Sequence, residues 1–338
     1  MARVTLQDIA RETGFSKATV SYALRRAPNV PEATRNEIVA AAKRLKYRPD
    51  PALSKIASYR WDSRARSSGS QMAYVNLRAK PRKILQSDFF KGLAEEAQTM
   101  GYSFDGFLLK NYSSLAELAR ILYHRGVGGI VFSEASLESH EKAFAEFPWE
   151  RFVAISCGAG YYRPPIPMII PDGFSNGQGA VERLVAAGRR RIGIVFCCRD
   201  LTQNDDLQLG GMRHAIQSHL SPPERIPELF TDYSDPTPLK DYYKRHRPDA
   251  ILCNNAAVLH WLQEIGVPVP DAVPLVCLEV GQENNNISGW LTRDREMGRR
   301  ATRLLHHQLL TNQVGVMERP SLILVPSRWN QGNTFSGI

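Results

Sequence analysis

Cysteine is scarce in this chain, with five in 338 residues. Cys157, Cys197, Cys198, Cys253 and Cys277 make an odd number, sit in or beside apolar strand-like runs, and show no C-x-x-C spacing. A disulfide framework and a zinc site are therefore not expected, and buried free thiols are. Long apolar runs are missing too. No stretch reaches the roughly 18 unbroken apolar residues of a membrane span. Met1 to Gln7 carries Arg3 but no apolar signal-peptide core, so a cytoplasmic location without a membrane partner is expected. Catalytic signatures are absent: there is no G-x-S-x-G elbow, no P-loop and no metal-ligand cluster, so neither an enzyme nor a cofactor is expected. Gly126-Val127-Gly128-Gly129 precedes a strand-like run, the wrong order for a nucleotide loop, and His306-His307 lacks the i, i+4 spacing of a zinc helix.

What is present is charge, unevenly placed. Residues 1 to 66 hold 14 Lys plus Arg against 6 Asp plus Glu, so this first fifth carries almost all of the net +9. A basic head on a near-neutral body suits a phosphate-binding module, because neutralising phosphates releases condensed counterions. The length exceeds what one core usually organises, and 43% apolar with 23% charged residues reads as a soluble chain of two or three units.

The basic head has helical periodicity. Thr5 stands as an N-cap before Leu6, Ile9 and Ala10, with Asp8 in the first turn, predicting a helix over 6–13 that ends at Gly14. Phe15 anchors a core, and Ser16 caps a second helix over 17–24 whose Val20, Ala23 and Leu24 face inward. After the proline loop 25–31, a third helix runs over 32–45 with Ala33, Ile38, Ala41, Ala42 and Leu45 on its apolar stripe. Helix, glycine turn and helix, with small and polar residues on the outer face of the second, is a shape that enters a major groove.

The segments 4–10 (VTLQDIA), 14–21 (GFSKATVS), 31–35 (PEATR) and 45–49 (LKYRP) closely resemble the DNA-binding headpiece of the LacI/GalR (lactose-repressor) family, nearly without interruption. The resemblance implies that Lys17, Ala18 and Tyr22 read bases, while Thr5, Leu6 (through its amide), Ser16, Thr19, Ser21 and Thr34 hold phosphates. Their chemistry suits those roles: lysine donates to guanine acceptors, alanine lets the helix approach, and tyrosine offers a hydroxyl and a ring. Hydroxyls and helix-terminal amides suit phosphate oxygens. Tyr22 stands where the family often has arginine. In residues 50–70 the resemblance implies a hinge whose Ile56 wedges into the minor groove. Pro51, Leu53 and Asp50 depart from the family there.

From residue 71 on, apolar runs at 72–77, 104–109, 129–132, 152–156, 192–196, 250–253 and 274–278 alternate with helical segments at 89–100, 115–124, 177–187, 209–219, 256–265 and 296–310. Such alternation predicts parallel sheets with helical crossovers, and the length suggests two α/β lobes about a cleft. Residues 188–193 (GRRRIG), 248–255 (PDAILCNN), 266–271 (GVPVPD) and 296–301 (EMGRRA) resemble the family's periplasmic-binding-protein-like (type I) sensor. The expected organisation is an all-α helix-turn-helix headpiece (1–49), a hinge (50–70) and an α/β two-lobed effector-binding and dimerisation domain (71–331).

That resemblance places Ser156, Gln208, Tyr233, Asn255 and Glu279 at effector positions. Gln208 stands where a ligand-gripping arginine is expected, Glu279 where aspartate is usual, and Ser156 where some members carry aspartate. The expectation is a homodimeric regulator, a repressor, that binds a pseudo-palindromic double-stranded DNA operator and joins the nucleoid when bound. Its response would be tuned by a small-molecule effector such as a sugar or related metabolite. A soluble small-molecule-binding protein without sequence-specific DNA binding stands as the alternative. No leucine heptad marks residues 327–338, so a coiled-coil tetramer is not expected.

Overall fold

The computed structural model describes residues 4–24, 30–45, 47, 71–77, 84–133, 144–157, 165–197, 203–232, 234–280 and 286–336. The chain divides into two compact units, Met1–Arg64 and Ala65–Ile338.

The first unit holds three helices: α1 (Leu6–Thr13), α2 (Lys17–Leu24) and α3 (Glu32–Arg44). Local chemistry sets their ends. Thr5 and Asp8 close the start of α1, with the Thr5 amide and hydroxyl both donating to the Asp8 carboxylate at 2.8 Å. These bonds, with Arg11 nearby, hold the Asp8 carboxyl below its ordinary range. Gly14 ends α1 at φ 73°, a conformation that costs other residues a Cβ clash. Ile9, Val20, Ala23, Val30 and Ile38 are buried together, and Phe15, Tyr22, Leu24 and Leu45 pack against them.

The second unit is built on two six-stranded sheets. The first has the order β11-β5-β4-β3-β1-β2, all parallel: β1 (Gln71–Asn76), β2 (Ser103–Leu108), β3 (Val127–Ser133), β4 (Val153–Cys157), β5 (Met168–Pro171) and β11 (Leu322–Val325). The second has the order β12-β10-β9-β8-β6-β7: β6 (Ile192–Cys197), β7 (Leu229–Thr231), β8 (Ala250–Cys253), β9 (Leu275–Val280), β10 (Gly289–Leu291) and β12 (Arg328–Asn330), with β12 antiparallel to β10.

Helices cover both faces of each sheet, as burial on both sides demands of parallel strands. On the first sheet, α5 (Leu115–His124) covers one core, while α4 (Asp88–Thr99) and α10 (Asp294–Leu310) cover the other. On the second, α6 (Gly173–Ala186) and α7 (Gln203–His219) lie over one core, and α8 (Thr237–His246) and α9 (Ala257–Glu264) over the other. The chain passes between the lobes three times: from β5 into α6, from β10 into α10, and from β11 into β12. Each passage leaves at the carboxyl end of a strand. The carboxyl edges of both sheets therefore meet the connecting segments, the edge at which ligands bind in parallel sheets of this kind.

Cys157, Cys253 and Cys277 are buried free thiols. Cys197 lies in β6, and Cys198 falls outside the described residues. Among the described residues, no helix is long and apolar enough to cross a membrane and no cluster of His, Cys, Asp and Glu could hold a metal ion.

Candidate functional site

Two sites stand out, one in each unit. In the first, Ser16 caps α2: its hydroxyl accepts from the Thr19 backbone N–H at 3.1 Å and lies 2.9 Å from the Thr19 hydroxyl. The cap fixes the start of the helix and leaves Ser16, Lys17 and Ala18 exposed at its tip. Val20 and Ala23 on the opposite side are buried, so the helix is held by one face and presents the other. Four residues on from Lys17 and Ala18 come Ser21 and Tyr22, on the same face one turn later. Both are half-buried, and the Tyr22 ring also packs against the unit's core.

The remaining headpiece residues lie at helix starts. Thr5 is exposed beside Asp8, and Leu6 is the first residue of α1, so its amide has no acceptor within the helix. Thr34 sits half-buried in the first turn of α3. Helix-terminal N–H groups and short hydroxyls are what a phosphate oxygen requires. Ile56 lies outside the described residues.

The second site lies at the carboxyl edge of the second sheet. Glu279, near the end of β9, accepts on Oε1 from the side-chain amides of Asn204 at 2.9 Å and Gln208 at 3.2 Å. Those two residues are one turn apart at the start of α7, and Asp205 between them accepts from Asn254 at 3.1 Å. Asn204, Asp205 and Gln208 are buried, whereas the Glu279 side chain reaches solvent. Tight helix packing holds the amides in place: α6 and α7 meet so closely that a Cβ at Gly177 would collide with the Gln208 carbonyl. Desolvation, then the Asp205 charge, push the Glu279 carboxyl up to about 7 against the two amide bonds that favour its ionised form.

Of the five effector positions drawn from sequence, Gln208 and Glu279 are in direct contact. Ser156 is fully buried at the carboxyl end of β4 in the other lobe, its hydroxyl without a partner among the described residues. Asn255 is exposed and accepts from the Ala257 amide at 2.9 Å, capping the turn into α9. Tyr233 lies outside the described residues. Asn204, Asp205 and Asn254 were not singled out in the sequence. The signal that could have found the first is its i, i+4 spacing with Gln208 on one helix.

A groove-sized helix on a basic three-helix unit, joined in one chain to two parallel α/β lobes, defines a class: a helix-turn-helix protein with a periplasmic-binding-protein-like domain. Comparison with known proteins makes the class specific. Residues 5–50 match the family described as bacterial regulatory proteins, lacI family, and residues 181–335 match the periplasmic binding protein-like domain. The catabolite control protein A of Staphylococcus epidermidis (strain ATCC 12228 / FDA PCI 1200) is 23% identical over 282 residues, 81% of each chain. Two solved structures share the fold. A transcriptional regulator CelR–cellobiose complex has a TM-score of 0.61 at 18% identity, covering 98% of this chain and 100% of that one. The lac repressor dimer bound to operator and the anti-inducer ONPF has a TM-score of 0.60 at 20% identity, covering 98% and 99%. Residues 5–50 thus resemble the lacI family of bacterial regulatory proteins, and residues 181–335 a periplasmic binding protein-like domain.

Proposed function

We propose that this regulator is a repressor that binds a pseudo-palindromic operator as a homodimer and whose operator affinity is set by a small molecule, a sugar or a related metabolite, held between its two α/β lobes. The observation that carries the reading is the tip of α2, where Lys17 and Ala18 are exposed on a helix anchored by its opposite face. In this reading Lys17, Ala18 and Tyr22 meet base edges, and Thr5, the Leu6 amide, Ser16, Thr19, Ser21 and Thr34 meet phosphates. Ile56 in the hinge (50–70) is the minor-groove wedge. Effector binding falls to the domain 71–331 through Ser156, Gln208, Tyr233, Asn255 and Glu279. The operator-bound dimer and the cellobiose complex among the structural neighbours support operator and sugar as the two ligand types.

For the switch to work, the effector must bind one arrangement of the lobes better than the other. Selection from random DNA by the purified chain, at two salt concentrations, tests the operator half. An inverted-repeat consensus with affinity falling steeply in salt is expected. Weak binding without a consensus would refute it and favour a small-molecule-binding protein without sequence-specific DNA binding.

A further inference from the structure

At the amino edge of the second sheet, opposite the edge that carries Glu279, three turns meet. Residues 187–191 lead from α6 into β6, residues 220–228 from α7 into β7, and residues 247–249 from α8 into β8. Arg191 pins them together, its guanidinium donating to the His246 carbonyl at 2.8 Å and to the Pro223 carbonyl at 3.4 Å. Arg225 donates to the Gln217 and Leu220 carbonyls at the end of α7, each at 3.0 Å. Cations gather at helix C-termini to satisfy the last carbonyls and to meet the negative end of the helix dipole. That accounts for Arg191 and Arg225.

Arg190, Lys244, Arg245 and Arg247 touch no carbonyl. All four are exposed, and their side chains make no hydrogen bond or ion pair among the described residues. The acids beside them are engaged elsewhere. Asp249 accepts from the backbone amides of Arg190 and Arg191 at 2.8 and 3.0 Å. Glu224 accepts from the Ser221 hydroxyl and amide, both at 2.7 Å, and these bonds, with Arg190 as a lesser cause, hold its carboxyl below the ordinary range. Asp241, one turn back on α8, is exposed and makes no ion pair with Arg245 among the described residues. Arg247 also closes α8 in the left-handed region, at φ 45°. A side chain there costs free energy that glycine does not, and no bond of this one within the described fold offsets the cost. No large apolar side chain is exposed on residues 187–191, 220–228 or 244–249. A protein partner would need such an anchor. A phosphate backbone does not, and guanidinium groups match its oxygens in pairs.

We propose that this edge is a second nucleic-acid face, which takes the phosphate backbone of double-stranded DNA without reading its sequence. Arg190, Arg245 and Arg247 bind phosphate oxygens, and Lys244 adds charge between them. The face requires neither an effector nor the base-reading roles assigned to the first unit.

Acetylation of lysines in the full chain, with and without a random-sequence duplex and read residue by residue by mass spectrometry, tests this. Lys244 should lose reactivity several-fold when duplex is added, while Lys110, exposed in the first lobe, stays unchanged. The duplex concentration that half-protects Lys244 should rise with salt at a log–log slope of about 3, as three or four neutralised phosphates imply, and Arg245→Gln should lower that slope by about 1. In the triple variant R190Q/R245Q/R247G, checked for folding by its melting curve, the protection should disappear. Lys244 left reactive while Lys17 is protected would overturn the proposal and confine DNA to the first unit. Protection in the triple variant equal to that in the native protein would overturn it as well. So would equal protection by polyglutamate, which points to an acidic protein partner, or by inorganic phosphate alone, which points to a small anion. Lys244 protected with Lys17 reactive would uphold this face and refute the reading of the first unit instead.

Discussion

Replacing Glu279 by glutamine should stabilise the ligand-free protein, and by an amount that depends on pH. The amide keeps an oxygen for the Asn204 and Gln208 N–H groups and removes only the charge. The carboxyl is pushed up to about 7 in the folded protein from an ordinary value of 4.5. The folded state therefore binds the proton more tightly than the unfolded chain does, and its contribution to stability is full below pH 4.5 and lost as pH rises through 7. At 1.36 kcal/mol per unit the difference would be roughly 3 kcal/mol for a fully enclosed group. The Glu279 residue is exposed to solvent, so screening reduces this to roughly 1–2 kcal/mol. For a unit of this size that is a rise in melting temperature of about 2–8 °C. Melting curves of native protein and E279Q at pH 5.5 and pH 8 provide the assay, the difference between the two proteins cancelling every other titrating group. E279Q should gain most at pH 8 and little at pH 5.5. An equal gain at both, or a loss at pH 8, would refute the argument that this carboxyl is held above its ordinary range.

Further outcomes follow from the packing and from the exposed face of α2. Ile38→Ala opens a cavity in the small core of the first unit, costing about 2–5 kcal/mol, and should abolish sequence-specific DNA binding while leaving the melting of residues 65–338 unchanged, as calorimetry would show. Ser16→Ala removes the cap of α2 and should cost about 1 kcal/mol in the stability of that unit, read from its unfolding transition. Lys17→Ala should lose about 1–3 kcal/mol of operator affinity and relax selection at one base pair, whereas Thr34→Ala should weaken binding evenly across sequences; selection and titration on the same DNA set separate the two. Gly177→Ala forces a methyl onto the Gln208 carbonyl and should destabilise by about 1–3 kcal/mol, seen as a lower urea midpoint.

The three helices of the first unit were legible within a residue of their observed ends, because each end is set by a neighbour in sequence: Thr5 with Asp8, Gly14, Ser16 with Thr19, Pro31 before Glu32. The α/β rhythm of the second unit was legible for the same reason in its long apolar runs. What was missed is short or polar. Strands β5, β7, β10, β11 and β12 span three or four residues each, too few for periodicity to register, and owe their existence to partners far along the chain, as in Leu322 against Met168. Helix α8, rich in Tyr, Lys and Arg, buries only Leu239 and Tyr242 and offered little apolar stripe.

The sites divide along the same line. Lys17, Ala18, Ser21 and Tyr22 of the first site sit on one helix, so side chains four apart share a face wherever that helix lies, and the order of residues suffices to group them. The second site joins α7 to β9 across 71 residues and α7 to the end of β8 across 49. Family likeness pointed to Gln208 and Glu279 singly, but that an amide pair grips the acid, that Asp205 presses on it, and that two carbonyls are left without donors are properties of folded space. A carboxylate's proton affinity depends on how much water is excluded and which charges lie within a few ångströms, and neither quantity exists until the chain has closed on itself.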